Sequence, residues 1–211
     1  MTLQPVRPDL LAGEDLLPLP RQKRSRRKRA DLLRAGRQLF AEKGFEAASV
    51  EEIAGRAHIA VGSFYRHFRS KTQLLLALMD ELLEKLSAIT LKLATGEVRA
   101  GIFAMLRTGF ETEAAYAGAY RAWKEAVPGD AALVKKDLAI RRWTTARLTL
   151  ALTFMQKLPH ARPGVNVPVL SNLLDRFFWE LLGQPLDHGA ESLQAVTDLV
   201  YHAIFADAAL R

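Results

Sequence analysis

The chain has no cysteine in 211 residues. That excludes a disulfide framework and thiol chemistry, and it is consistent with a reducing cytoplasm. No apolar run approaches the roughly 18 residues that span a bilayer. The N-terminus does not read as a secretory signal, because the basic run Arg21 to Arg29 follows the leucine-containing stretch instead of preceding it. The five histidines, at 58, 67, 160, 188 and 202, have no metal-ligand spacing. No G-x-S-x-G elbow, phosphate-binding glycine loop or H-E-x-x-H occurs. Nothing convergent remains for catalysis, so the chain reads as a non-enzyme without cofactor or metal.

An acidic excess is also missing, and the basic one is uneven. Residues 1–72 hold 15 Lys+Arg against 8 Asp+Glu, whereas residues 73–211 hold 15 of each. The entire net charge of +7 therefore lies in the first third. A basic module joined to a neutral one fits a DNA-binding domain joined to a regulatory domain. Its densest part is RQKRSRRKR, seven basic residues in nine. Preceded by a 20-residue segment with four prolines, it reads as a disordered tail (1–25) running into a basic arm (21–29). Arg26, Arg27, Lys28 and Arg29 are candidate phosphate contacts by charge.

The stretch Ser49 to Lys71 is the most informative. Ser49 and Glu52 form an S-x-x-E capping box for a helix starting near Val50, with Ile53, Ala54 and Ala57 as its apolar face. His58-Ile59-Ala60 is a turn, and a second short helix follows over Val61 to His67. Ser70 and Gln73 make another capping box before a long helix at Lys71. Two helices joined by a three- to four-residue turn form a helix-turn-helix, whose second helix reads the major groove. Val61, Gly62, Ser63 and Arg66 are the candidate base-facing residues. Arg66 paired bidentately with guanine would contribute roughly 1–3 kcal/mol of discrimination. Upstream, Leu32, Leu33, Ala35, Leu39 and Phe40 follow a helical period that stops at Gly44.

Across about residues 26–80, LFAEKGF (Leu39 to Phe45), Ser49, Ile53-Ala54, Gly62, Phe64-Tyr65, Phe68 and Ser70-Lys71 resemble the DNA-binding domain of TetR-type (tetracycline-repressor-like) transcriptional regulators. The chain departs from the family pattern at two places: His58 stands at the turn where glycine is usual, and Ala60 where a capping serine or threonine is usual. The resemblance implies phosphate contacts from Ser49, Tyr65, His67 and Lys71, and a homodimer on a near-palindromic operator in double-stranded DNA. It also implies a small-molecule effector that shifts the linking helix from Lys71.

The rest reads as helix throughout, about nine helices in an all-α chain. The expectation is a helix-turn-helix domain over 26–72 and a helical bundle for ligand binding and dimerisation over 73–211. Two C-terminal amphipathic stripes suit a four-helix interface between subunits. Leu170, Leu174, Phe177, Phe178 and Leu181 form the first, and Val196, Val200 and Ala203 the second. Phe103, Phe110, Tyr120, Trp123, Trp143, Phe154 and Trp179 are candidate walls of a pocket for an apolar, aromatic effector. Each is also compatible with ordinary core packing. Repression suits this design better than activation, since blocking a promoter needs no polymerase contact. The alternative is a non-specific or architectural DNA-binding protein without an effector.

Overall fold

The computed structural model describes residues 5–15, 17–18, 20–89, 98–183 and 190–206. Among them are nine α-helices and no strand, apart from one isolated bridge between Ala161 and Phe205. The helices are α1 (Lys23–Ala47), α2 (Val50–Arg56), α3 (Val61–Phe64), α4 (Lys71–Ala88), α5 (Val98–Ala114), α6 (Ala117–Ala126), α7 (Ala131–Met155), α8 (Val167–Gly183) and α9 (Ala190–Ile204). The all-α expectation is met. The break expected at Thr95-Gly96 and most of the one at Gly183-Gln184-Pro185 lie outside the described residues.

The chain divides into two compact units, and neither is a continuous segment. One, the helix-turn-helix unit, comprises Asp9–Lys85 and Ala115–Asp137. The other, the α8–α9 unit, comprises Met1–Pro8, Leu86–Ala114 and Leu138–Arg211. This differs from a boundary at residue 72. Helix α4 up to Lys85 belongs to the helix-turn-helix unit, where Leu74, Leu75, Leu76, Leu78 and Met79 are all buried. Helix α6 belongs there too. Gly118 lets it approach α1 so closely that a Cβ at this position would collide with the backbone of Ala41. Arg121 donates to the Ala41 carbonyl (2.9 Å), and the Glu125 carboxylate accepts the N–H groups of Phe45 (2.5 Å) and Glu46 (3.1 Å).

The disordered tail expected over residues 1–25 is corrected in part. Leu10 is fully buried. Lys136 donates to the carbonyls of Leu10 (2.6 Å) and Ala12 (3.2 Å) and pairs with Glu14. Arg69 and Gln73 both donate to the Asp15 carbonyl. Prolines prevent a helix here, but an extended segment whose carbonyls meet cationic side chains is still held. The basic arm is not an arm either. Lys23 begins α1, so Arg26 to Arg29 lie on its first two turns.

In the α8–α9 unit, Ile102, Leu152, Met155, Val167, Val200, Ile204 and Phe205 form one core cluster. Helix α7 starts on a cap, Asp130 accepting the N–H groups of Ala132 (2.7 Å) and Leu133 (3.3 Å). No helix among the described residues is long and apolar enough to cross a membrane.

Candidate nucleic-acid interface and ligand region

The local chemistry of the helix-turn-helix follows the residues. The Ser49 hydroxyl accepts the Glu52 N–H and the Glu52 carboxylate accepts the Ser49 N–H, both at 3.1 Å, which is a closed capping box. Helix α2 then ends on a left-handed residue, His58, at φ 55°. Ile59 N–H donates to the Ala54 carbonyl (2.9 Å) and His58 N–H to the Gly55 carbonyl (3.0 Å). These are the two bonds of a Schellman turn, with histidine where glycine is favoured. Ala60 caps α3 without a side-chain hydrogen bond. The recognition helix is shorter than the stretch to His67 expected from sequence. Its α-helical part ends at Phe64, and tighter turns carry the chain on, with His67 N–H donating to the Phe64 carbonyl at 2.8 Å. At the start of α4 the second capping box is offset: Ser70 Oγ accepts the Gln73 N–H, but Gln73 Oε1 accepts from Arg69 instead of Ser70.

Some cations of this unit have acidic partners and others do not. Arg34, Lys43, Arg56 and Arg69 pair with Asp31, Glu52, Glu42 and Asp15. Arg26, Arg27, Lys28 and Arg66 form no ion pair among the described residues. Arg26, Arg27, Gly62, Tyr65 and Arg66 are exposed, while Lys28, Ser49, Val61 and Ser63 are partly so. No acidic residue sits in the first turn of α1, so its cations oppose the helix dipole, an arrangement an incoming anion would relieve.

Three expected contacts need revision. The Lys71 ammonium donates to the carbonyls of Phe45 (2.8 Å), Glu46 (3.1 Å) and Ala48 (3.3 Å) and lies 4.6 Å from the Phe45 ring centroid. Its three protons close the end of α1, which removes it from the phosphate contacts. Arg29 is half-buried with its guanidinium 4.9 Å from the Phe68 ring centroid, and burial lowers its pKa. His67 is only 9% exposed, and its buried Nδ1 has no hydrogen-bond partner. Burial, then the charges of Arg29, Lys28 and Arg66, push its pKa below the ordinary value. A neutral, buried ring offers little surface to DNA.

The ligand candidates fall into different places. Tyr120 and Trp123 are buried on α6 within the helix-turn-helix unit, and Trp123 Nε1 donates to Asp137 at 2.9 Å. They are core there, apart from the candidates in the α8–α9 unit. Phe154 is 51% exposed and lines no interior. Trp143 is occupied at both ends: its Nε1 donates to the Pro5 carbonyl (3.1 Å), and the Arg147 guanidinium covers its ring at 4.9 Å. Arg147 also donates to the carbonyls of Leu86 (2.5 Å) and Ile89 (2.6 Å), capping the end of α4. Phe103 is half-buried. What does come together is Phe110, Phe178 and Trp179, with ring centroids 5.8 Å and 6.4 Å apart in turn.

The C-terminal stripes are also re-sorted. Leu170 and Leu174 pack on the unit's own core cluster, and Val200 belongs to it. Phe178 pairs with Phe110. The outward face of α8 is Val169, Leu173 (60% exposed) and Phe177 (42%), spaced by four, with Leu199 exposed on α9. Val196 and Ala203 are half-buried, and the Leu181 side chain lies outside the described residues. The wide apolar stripe of α8 thus has two sides, and only one faces outward. Sequence reasoning missed a further line. Val167, Ser171, Asp175 and Trp179, four apart, are the most buried face of α8, with Thr197 buried on α9. Ser171 and Thr197 return their hydroxyls to their own helices, at 2.7 and 2.8 Å. An aspartate between apolar residues reads as solvent-facing, so no local signal marked it.

Residues 32–78 match the family model described as bacterial regulatory proteins, tetR family. Over 46 residues the chain is 50% identical to the Transposon Tn10 TetC protein of Escherichia coli, covering 22% of this chain and 23% of that protein. Over 89 residues it is 37% identical to the HTH-type transcriptional repressor KstR2 of Rhodococcus jostii, covering 40% and 42%. The matches thus span less than half of these curated relatives. The whole fold resembles that of the SmeT–triclosan complex, with a TM-score of 0.58 at 21% identity, covering 86% of this chain and 93% of that one.

Proposed function

We propose, from the premise that this chain is a tetR-family protein by its DNA-binding domain, that it is a sequence-specific transcriptional regulator released from DNA by a small molecule. The observation that carries this is the segregation of cations. Those with internal partners hold the helix-turn-helix together. Among those without an ion pair, Arg26, Arg27, Lys28 and Arg66 lie on the start of α1 and just after α3. Arg26, Arg27 and Lys28 meet phosphates, with Ser49 and Tyr65 beside them. Gly62, Ser63 and Arg66 meet base edges, with Val61 in apolar contact.

A second copy covers Val169, Leu173, Phe177 and Leu199. Two recognition helices one DNA turn apart, about 34–36 Å, then read a near-palindromic operator. The effector occupies the aromatic region of the α8–α9 unit. The bound triclosan of the structurally similar SmeT supports an apolar, aromatic molecule. Helices α4 and α7 contribute residues to both units, and Arg147 holds the end of α4 beside Trp143. An effector that prefers one position of α4 shifts the population away from the DNA-competent state by its differential affinity. Repression is the favoured outcome, in keeping with the KstR2 relative.

The test is fluorescence anisotropy on DNA from upstream of the protein's own coding sequence against scrambled DNA, over a salt series. Tight, sequence-dependent binding by dimers supports the regulator. Equal affinity for both DNAs, collapsing together with salt, favours an architectural protein dominated by Arg26 to Arg29. Leu173→Glu should convert the dimer to monomer in sedimentation and reduce operator affinity at least ~100-fold, because each half-site then binds alone.

A further inference from the structure

Asp175 lies on the most buried face of α8, 4% exposed, and its Oδ1 is buried without a hydrogen-bond partner. Two neighbouring donors, Thr144 and Trp179, also bond elsewhere. The Thr144 hydroxyl donates to its own helix, to the carbonyls of Arg141 (3.1 Å) and Ile140 (3.2 Å). Trp179 Nε1 donates to Thr144 Oγ1 at 3.2 Å. Arg141 acts on the carboxylate through its charge. Burial accordingly raises the Asp175 pKa. Side-chain hydrogen bonding from Thr144, Thr145 and Trp179, and the charge of Arg141, lower it by less, while Oδ1 itself keeps no partner.

A buried carboxylate oxygen without a donor costs free energy that an asparagine or leucine would not. One turn along α8, Trp179 and Phe178 lie edge to face, and Phe178 meets Phe110. An acceptor lacking a donor beside three aromatic rings is complementary to a cation with an apolar body. We propose that Asp175 is the polar anchor of the effector site and that the effector carries an ammonium or similar cationic nitrogen on an aromatic frame. This rests on the regulator reading for its biological use but not for the binding itself. It also narrows the effector: an aromatic molecule without an N–H or O–H donor would leave Oδ1 without a partner.

The test uses the full-length protein and Asp175→Asn, titrated calorimetrically with 1-naphthylmethylammonium and with 1-naphthylmethanol, which share a frame and differ in charge. The wild type should bind the ammonium at least ten-fold more tightly than the alcohol. Asp175→Asn should lose that preference. Without ligand, Asp175→Asn should melt higher than wild type, by roughly 2–4 °C, the opposite of losing a structural contact. Equal affinity for both probes, no ammonium binding at millimolar concentration, or an intact preference in Asp175→Asn would each overturn the proposal. DNA binding measured in parallel separates the two readings. Specific DNA binding without charge preference sinks only the anchor, and charge preference without specific DNA binding sinks only the regulator.

Discussion

Among the described residues, each unit contains one buried side-chain polar atom without a partner, and the two atoms have opposite consequences. In the helix-turn-helix unit it is His67 Nδ1, and in the α8–α9 unit it is Asp175 Oδ1. A histidine avoids the cost of burial by staying neutral, and the surrounding Arg29, Lys28 and Arg66 push it the same way. An aspartate is neutral only by taking up a proton, which burial favours here against the pull of its neighbours. The rest of the helix-turn-helix unit is closed by design: Lys71 satisfies three carbonyls and Glu125 two N–H groups. A unit that must present a fixed surface satisfies its own polar groups. A unit that takes in a ligand can leave one for the ligand to satisfy.

The comparison breaks most severely at Gly118. Gly118→Val would drive a side chain into the Ala41 backbone and separate α6 from α1. The expected loss is about 3 kcal/mol by urea denaturation, with specific DNA binding lost too. Lys71→Ala comes next. It leaves the carbonyls of Phe45, Glu46 and Ala48 without their shared donor and should cost about 2 kcal/mol. For the protein that remains folded, the salt slope of DNA binding should not change, and a flatter slope would return Lys71 to the phosphate contacts. Arg66→Ala should do the reverse, leaving the denaturation midpoint in place while relaxing discrimination between DNA sequences by roughly 1–3 kcal/mol.

The smallest effects are in pH, and they sharpen the comparison through their signs. The His67 pKa is depressed in the folded protein, so its contribution to stability is present above about 6.5, the unfolded value, and is lost as pH falls through the folded pKa. The Asp175 pKa is raised in the folded protein. The native state then holds more protons, and stability falls as pH rises from the unfolded value, near 3.8, through the folded pKa. Stability differences between wild type and His67→Gln should therefore slope upward with pH. Those between wild type and Asp175→Asn should slope downward. Parallel slopes in the two urea series would show that the two sites do not differ as argued.

The local features of the DNA-binding elements were legible in the sequence because their causes are local. The Ser49–Glu52 box, the left-handed His58, the uncapped Ala60 and the kink of α1 at the non-helical Gly44 each depend on residues within a few positions. The net basic charge of residues 1–72 is likewise sequence alone. Which cations are available is not. Lys71 and Arg66 are equivalent in a charge count, and only the fold brings three carbonyls to one of them. The aromatic candidates scattered for the same reason: Tyr120 and Trp123 look like Trp143 and Trp179 in a helical pattern. The packing of α6 on α1 through Gly118 assigns them to a different core. On α8, periodicity shows that apolar residues recur, but a stripe this wide does not say which side faces inward. The sequence by itself determined the helices, their caps and the basic surface, through interactions spanning three to five residues. Tertiary structure alone decided which charges stay unpaired, which stripe of α8 faces outward and that Asp175 is buried. Those depend on neighbours tens of residues away, whose positions no local pattern encodes.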